Sequence, residues 1–113
     1  MIMNNFSDKL MKADIDFSAS GDNTIIATPA AGRIAIDFLL VFPEGATTIQ
    51  IKDGTTNYGG EYALDAKQPF VIENTAQFYD GVISLSLLQA LVINSTAAVQ
   101  VSGFVRYRLL DTP

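Results

Sequence analysis

This sequence predicts an all-β fold: a single β-sandwich of about eight strands, either jelly-roll or immunoglobulin-like. Three observations carry that expectation. Residues 99–110 alternate Val99, Val101, Val105, Tyr107 and Leu109 with Gln100, Ser102, Phe104, Arg106 and Arg108, the period of two of a strand with one face on a core. Short β-branched runs recur at intervals of roughly 8–12 residues, each bounded by turn-forming residues, as in sandwiches and barrels. Past the first dozen residues, no segment shows a convincing helical period.

The elements follow in order. Residues 1–12 are the exception to the strand pattern. Met3, Phe6 and Leu10 fall at helical spacing, which predicts a short amphipathic helix or an arm that needs something to pack on. A sandwich domain then occupies residues 13–113. Its first strand, 13–19, sets Ile15 and Phe17 against Asp14, Asp16 and Ser18. Ser20, Gly21, Asp22 and Asn23 have turn composition, and a β-branched strand over 24–28 stops at Pro29. Residues 33–42 place Ile34, Ile36, Phe38, Leu40 and Phe42 on one face, while Leu39 and Val41 make the second half apolar on both.

Thr47, Ile49 and Ile51 alternate with Thr48, Gln50 and Lys52 before Asp53-Gly54, a strong hairpin signal. The return segment, 55–64, holds Gly59 and Gly60 between Tyr58 and Tyr62, which predicts a bulged or edge strand. Residues 68–73 form a further strand. Residues 77–90 are ambiguous between strand and loop with a helical turn, and 90–94 re-enter the core. In the last strand Gly103 interrupts the inward row of Val101 and Val105. A glycine there marks a bulge, a bend or the close approach of another backbone.

Composition bounds the function. A chain of 113 residues is one domain with one core. Apolar residues reach 49% and charged residues only 17%, so little charge is left to solubilise exposed surface. We expect apolar surface covered by a partner or by further copies of the chain. The absence of histidine and cysteine removes the commonest general base, the commonest transition-metal ligands and any disulfide. A net charge of −5 argues against nucleic acid, which needs a basic stripe. No apolar run approaches the ~20 residues of a membrane span, and no signal peptide is visible. The expectation is therefore no membrane, synthesis in a cytoplasm, and no enzymatic activity.

Candidate sites are few. Asp14 and Asp16, with Asp22 in the next turn, have a spacing that calcium could use, but an oxygen cage needs six or more ligands. Solvated strand residues are the plainer reading. No pair among the 12 acidic residues stands out as a glycosidase pair, and no glycine pattern cradles a phosphate. No cofactor or metal is expected. Tyr58, Tyr62, Phe78 and Tyr79 could form a platform for a sugar, against core packing or subunit contact as the alternative. Phe104, Arg106 and Arg108 share a face that suits an acidic partner or cross-strand carboxylates. Arg33 and Asp37 likewise share a face of their own strand.

Three stretches, SASGDNTIIATPAAGRIAIDFLLVF, ATTIQIKDGTTNYGGEYAL and QALVINSTAAVQVSGFVRYRLL, together resemble the small β-sandwich virion proteins of tailed phages. The shared pattern is a Gly-Asp-Asn turn, an Ala-Gly-Arg lead into a long strand, a glycine-containing hairpin and a Val-x-Val-x-Gly-x-Val-x-Tyr ending. The likeness covers roughly residues 18–110, and its motifs are architectural. It implies a head decoration or cement protein on the capsid surface of the virion, partnered by the major capsid protein and assembled as a trimer or dimer. A tail or fibre component, or a carbohydrate- or receptor-binding sandwich, is the alternative. Residues 1–12 depart from the pattern. Contacts are expected from Met3, Phe6 and Leu10, from Tyr58 and Tyr62, and from Phe104, Arg106 and Arg108.

Overall fold

A computed structural model describes residues 9–110. They form nine strands: β1 (Met11–Phe17), β2 (Gly21–Ile26), β3 (Arg33–Pro43), β4 (Thr47–Asp53), β5 (Thr56–Leu64), β6 (Phe70–Glu73), β7 (Ile83–Ser84), β8 (Leu91–Ser95) and β9 (Val101–Leu110). No helix occurs among the described residues. One antiparallel sheet runs β1-β9-β3-β6, with β7 also paired to β3, and the other runs β2-β8-β4-β5. The pairs nest: β1 takes β9, β2 takes β8, β3 takes β6 and β4 takes β5. The chain is thus a long antiparallel ribbon folded back on itself, joined laterally where β3 meets β9 and β4 meets β8.

Both sheets contribute one face to a common core. Ile15, Ile34, Ile36, Leu39, Val41, Val101 and Val105 come from the first, and Ile26, Ile49, Ile51, Leu91 and Ile93 from the second. Complete burial of each such side chain contributes about 1.5–3 kcal/mol. Polar groups inside are paired. Thr47 and Ser95 hydroxyls lie 2.7 Å apart, and the Ala97 N–H donates to Thr47 Oγ1 at 3.1 Å. Gln50 Nε2 donates to the carbonyls of Ile51, Tyr58 and Gly59, the last two in the stretch of β5 that the bulge leaves without a paired residue on β4.

Several sequence expectations are met. Asp53 and Thr56 close the β4–β5 hairpin around Gly54, which takes φ +63°. β5 is a bulged edge strand. Others need correction. The helix expected over residues 1–12 lies outside the described residues as far as Asp8. At its end, Met11 and Lys12 are already strand, paired with Tyr107 and Arg106. The β9 ladder offers those two residues hydrogen bonds that a marginal helix could not match. The expected turn at Ser20–Asn23 is shifted: β2 begins at Gly21, and Asn23 Nδ2 donates back to Ala19 O at 3.0 Å. Residues 77–90 contain only the two-residue β7. The rest of that segment hydrogen-bonds along the free edge of β3, through Val82 N to Ile36 O and Leu85 N to Ile34 O.

The most consequential correction is in β3. The expected face of Ile34, Ile36, Phe38, Leu40 and Phe42 is split. Ile36 pairs with Tyr107 and Phe38 with Arg106, so Asp37 is an extra, unpaired residue. This bulge flips the register. Ile34 and Ile36 point inward before it, and Leu39 and Val41 do so after it, all fully buried. Phe38, Leu40 and Phe42 are turned to the outer face, where they are only half-buried.

Candidate functional site

The outer face of the first sheet carries the unusual chemistry, and strand register places its residues. One cross-strand row runs Lys12, Arg106, Phe38, Glu73; the next runs Asp14, Phe104, Leu40, Val71; the third sets Asp16, Ser102 and Phe42 side by side. Charges sit on the margins and at Arg106, around an apolar centre. The rings of Phe38 and Phe104 stack with centroids 5.3 Å apart and planes at 27°, and Val71 is 47% exposed. Aromatic side chains with an arginine beside them are the composition of protein contact surfaces.

Beyond Arg106 the same face ends in a shallow depression of about 340 Å3, lined by Asp37, Asn74, Gln77, Phe78, Tyr79 and Arg108. The β3 bulge supplies Asp37 to it. Arg108 Nε donates to Asp37 Oδ2 at 2.6 Å and Nη2 to Oδ1 at 3.0 Å, a two-toothed ion pair. Arg108 Nη2 also donates to Tyr79 O at 2.8 Å. Asn74 Nδ2 donates to Asp37 Oδ1 and to Phe78 O, each at 2.9 Å, while Asn74 Oδ1 accepts from Phe78 N. Asn74, together with Arg108, thus pins the loop of residues 74–80 to the sheet. Burial alone raises the Asp37 pKa, but hydrogen bonds from Arg108 and Asn74, with the Arg108 charge, hold it below the ordinary carboxylate value. The bond to Asp37 correspondingly raises Arg108, against the opposing effect of burial.

The residues singled out in the sequence separate into groups. Phe104, Arg106 and Arg108 do share the outer face, but not a role. Arg106 is exposed and makes no ion pair among the described residues, whereas Arg108 is engaged by Asp37. Arg33 donates to the Ser84 hydroxyl, while Asp37 further along the strand is engaged by Arg108. Tyr58 and Tyr62 lie on β5, in the second sheet, whereas Phe78 and Tyr79 border Asp37 and Arg108 of the first, and both β5 tyrosines pack against the core. Tyr62 meets Phe70 at 4.5 Å, and Tyr58 Oη accepts from Ser84 N. The expected four-membered aromatic platform therefore reduces to Phe78 and Tyr79, which are 58% and 65% exposed. Leu10 is exposed just before β1, and Met3 and Phe6 lie outside the described residues.

The three aspartates weighed as calcium ligands are spread apart and engaged. Asp14 pairs with Lys12, Asp16 accepts from Gln100, and Asp22 takes Asn94 and Lys52 on the other sheet. The Asn94 bond, then that from Lys52, lowers the Asp22 pKa. Sequence reading missed Asn74 and Gln77. The one available signal was the Asn-Thr turn composition after 68–73, which says nothing about what the asparagine grips. No protein-family model, curated protein or solved structure matches the chain.

Proposed function

We propose that this chain is a non-enzymatic virion structural protein of a tailed phage, a capsid decoration protein that binds the outer shell and stabilises it. The nested strand pairing is the observation that carries the reading. With the short β7 set aside, eight strands pair first with last, second with next-to-last and so inward, which is how a jelly-roll sandwich is wound. Jelly rolls recur in viral capsid domains. The sequence likeness to phage virion proteins points the same way, and so does a composition poor in charge and without histidine.

In this reading the partner is the major capsid protein, and the chain acts as a trimer or dimer. The rows centred on Phe38, Leu40 and Phe104, with Arg106 at their border, are the contact surface. Each contact is small, and many copies on a symmetric shell add through multivalency. Binding only the expanded shell would stabilise that state by linkage. A tail or fibre position uses the same contacts at far lower copy number.

Arg106→Glu tests the surface. The side chain is exposed, so folding stability is expected to stay within about 0.5 kcal/mol of the parent. Co-sedimentation with expanded shells lacking the protein should show affinity reduced about tenfold or more, or roughly 1.4 kcal/mol. Undiminished binding by the variant would remove this face from the contact.

A further inference from the structure

The depression beside Asp37 is more than the end of a contact surface. Its volume of about 340 Å3 is at the small end of ligand sites, which run from ~300 to ~1,000 Å3. Two adjacent rings, Phe78 and Tyr79, line it and are more than half exposed, although apolar rings ordinarily lose exposure on folding. Opposite them, Asp37, Asn74 and Arg108 are locked in one another's hydrogen bonds, which presents a rigid polar wall. Gln77 also lines the depression, and its side chain forms no hydrogen bond with the described residues. Its backbone is held at φ +57°, a left-handed conformation that costs energy for a residue with a side chain and recurs at ligand clamps.

Charge narrows the ligand. Asp37 and Arg108 neutralise each other, and of the exposed charges around them Glu73 and Asp80 are acidic and Arg106 is basic. An anion finds the Arg108 guanidinium already compensated by Asp37, and a cation finds the Asp37 carboxylate compensated in turn. What fits is a neutral ring with an apolar face for Phe78 or Tyr79 and hydroxyls at its edge for Asp37, Asn74 and Gln77. We propose that this depression binds one uncharged sugar ring, stacked on Tyr79, the more exposed of the two rings, and hydrogen-bonded at its edge by Gln77 and the Asp37–Asn74 wall. The site does not depend on the shell-binding reading, because it can be assayed on the free protein.

The test is a proton–nitrogen correlation NMR titration of the full chain with methyl glycosides of glucose, galactose, mannose and N-acetylglucosamine. At least one should move the amides of Asn74, Gln77, Phe78 and Tyr79 saturably. Tyr79→Ala, which leaves the ion pair intact, should weaken that binding about three- to tenfold. Gln77→Gly separates a binding role from a structural one. It should keep or raise the melting temperature by relieving the left-handed backbone, yet still weaken the sugar. No saturable shift with any of the four glycosides would overturn the site. So would full affinity in both variants, or shifts of the same amides driven by protein concentration alone, which would make the rings a contact between copies.

Discussion

Gly103→Ala is expected to destabilise the protein by about 3–5 kcal/mol, a large part of the ~5–15 kcal/mol that holds a domain of this size together. Gly103 lies in β9 between Ile15 of β1 and Val41 of β3, at φ +146°. A Cβ there would stand 1.9 Å from the Leu40 carbonyl oxygen and 2.8 Å from its carbon. Both obstacles are backbone of β3, which is paired on either side along this stretch and has no room to withdraw. Urea unfolding should register the loss, with a fall in melting temperature on the order of 10–20 °C. Gly60→Ala is the control. Nothing lies within 4 Å of a Cβ at that position, so it should change stability by no more than about 1 kcal/mol. Equal stability of the two variants would contradict the strand packing described for β9.

Asp37→Asn carries the second large effect. The side chains of Asp37 and Arg108 are 23% and 14% exposed, between a surface pair, where loss costs under ~1 kcal/mol, and a fully buried one, where it costs ~3–5. We expect about 2–3 kcal/mol at neutral pH. The Arg108 charge loses its counter-ion, and the loop of residues 74–80 loses one of its anchors. The pH dependence follows from the lowered Asp37 pKa. A carboxyl whose folded-state pKa lies below its unfolded value of about 3.9 contributes fully above that value. Its contribution falls away as pH drops through the lowered folded-state value. The stability gap between parent and variant should hold through neutral pH and narrow below about pH 4. Chemical unfolding at several pH values reads it directly, and a gap independent of pH would contradict the assigned pair. Replacing both partners with apolar residues should cost less than the sum of the single changes.

Where local pattern and tertiary pairing agree, the fold was legible. The alternation of residues 99–110 became β9, and Asp53-Gly54 became the β4–β5 hairpin, because turn chemistry and side-chain period are both local. Gly103 was legible as an exception but not as a cause, since the Leu40 carbonyl that excludes a Cβ belongs to a strand about 60 residues away. The bulge at Asp37 was invisible. Residues 33–43 are apolar on both faces in their second half, so a one-residue slip leaves a pattern as hydrophobic as before. That slip is what turns Phe38 and Leu40 outward and gives Arg108 its partner. The candidate site was therefore read in halves: Phe104, Arg106 and Arg108 from strand period, Phe78 and Tyr79 from residue type. The loop that joins the halves is held by Asn74, whose partners, Asp37 apart, are backbone groups without a sequence signature. Tyr58 and Tyr62 were grouped with Phe78 and Tyr79 by type alone, and the fold puts them on the core.

If the chain is, as proposed, a decoration protein repeated over a phage shell, its copy number must say so. Quantitative mass spectrometry of purified particles of a phage that carries this sequence should then give it in a ratio to the major capsid protein near one, or in a simple fraction of it maintained over the whole shell. A handful of copies per particle, or none, would refute the decoration role.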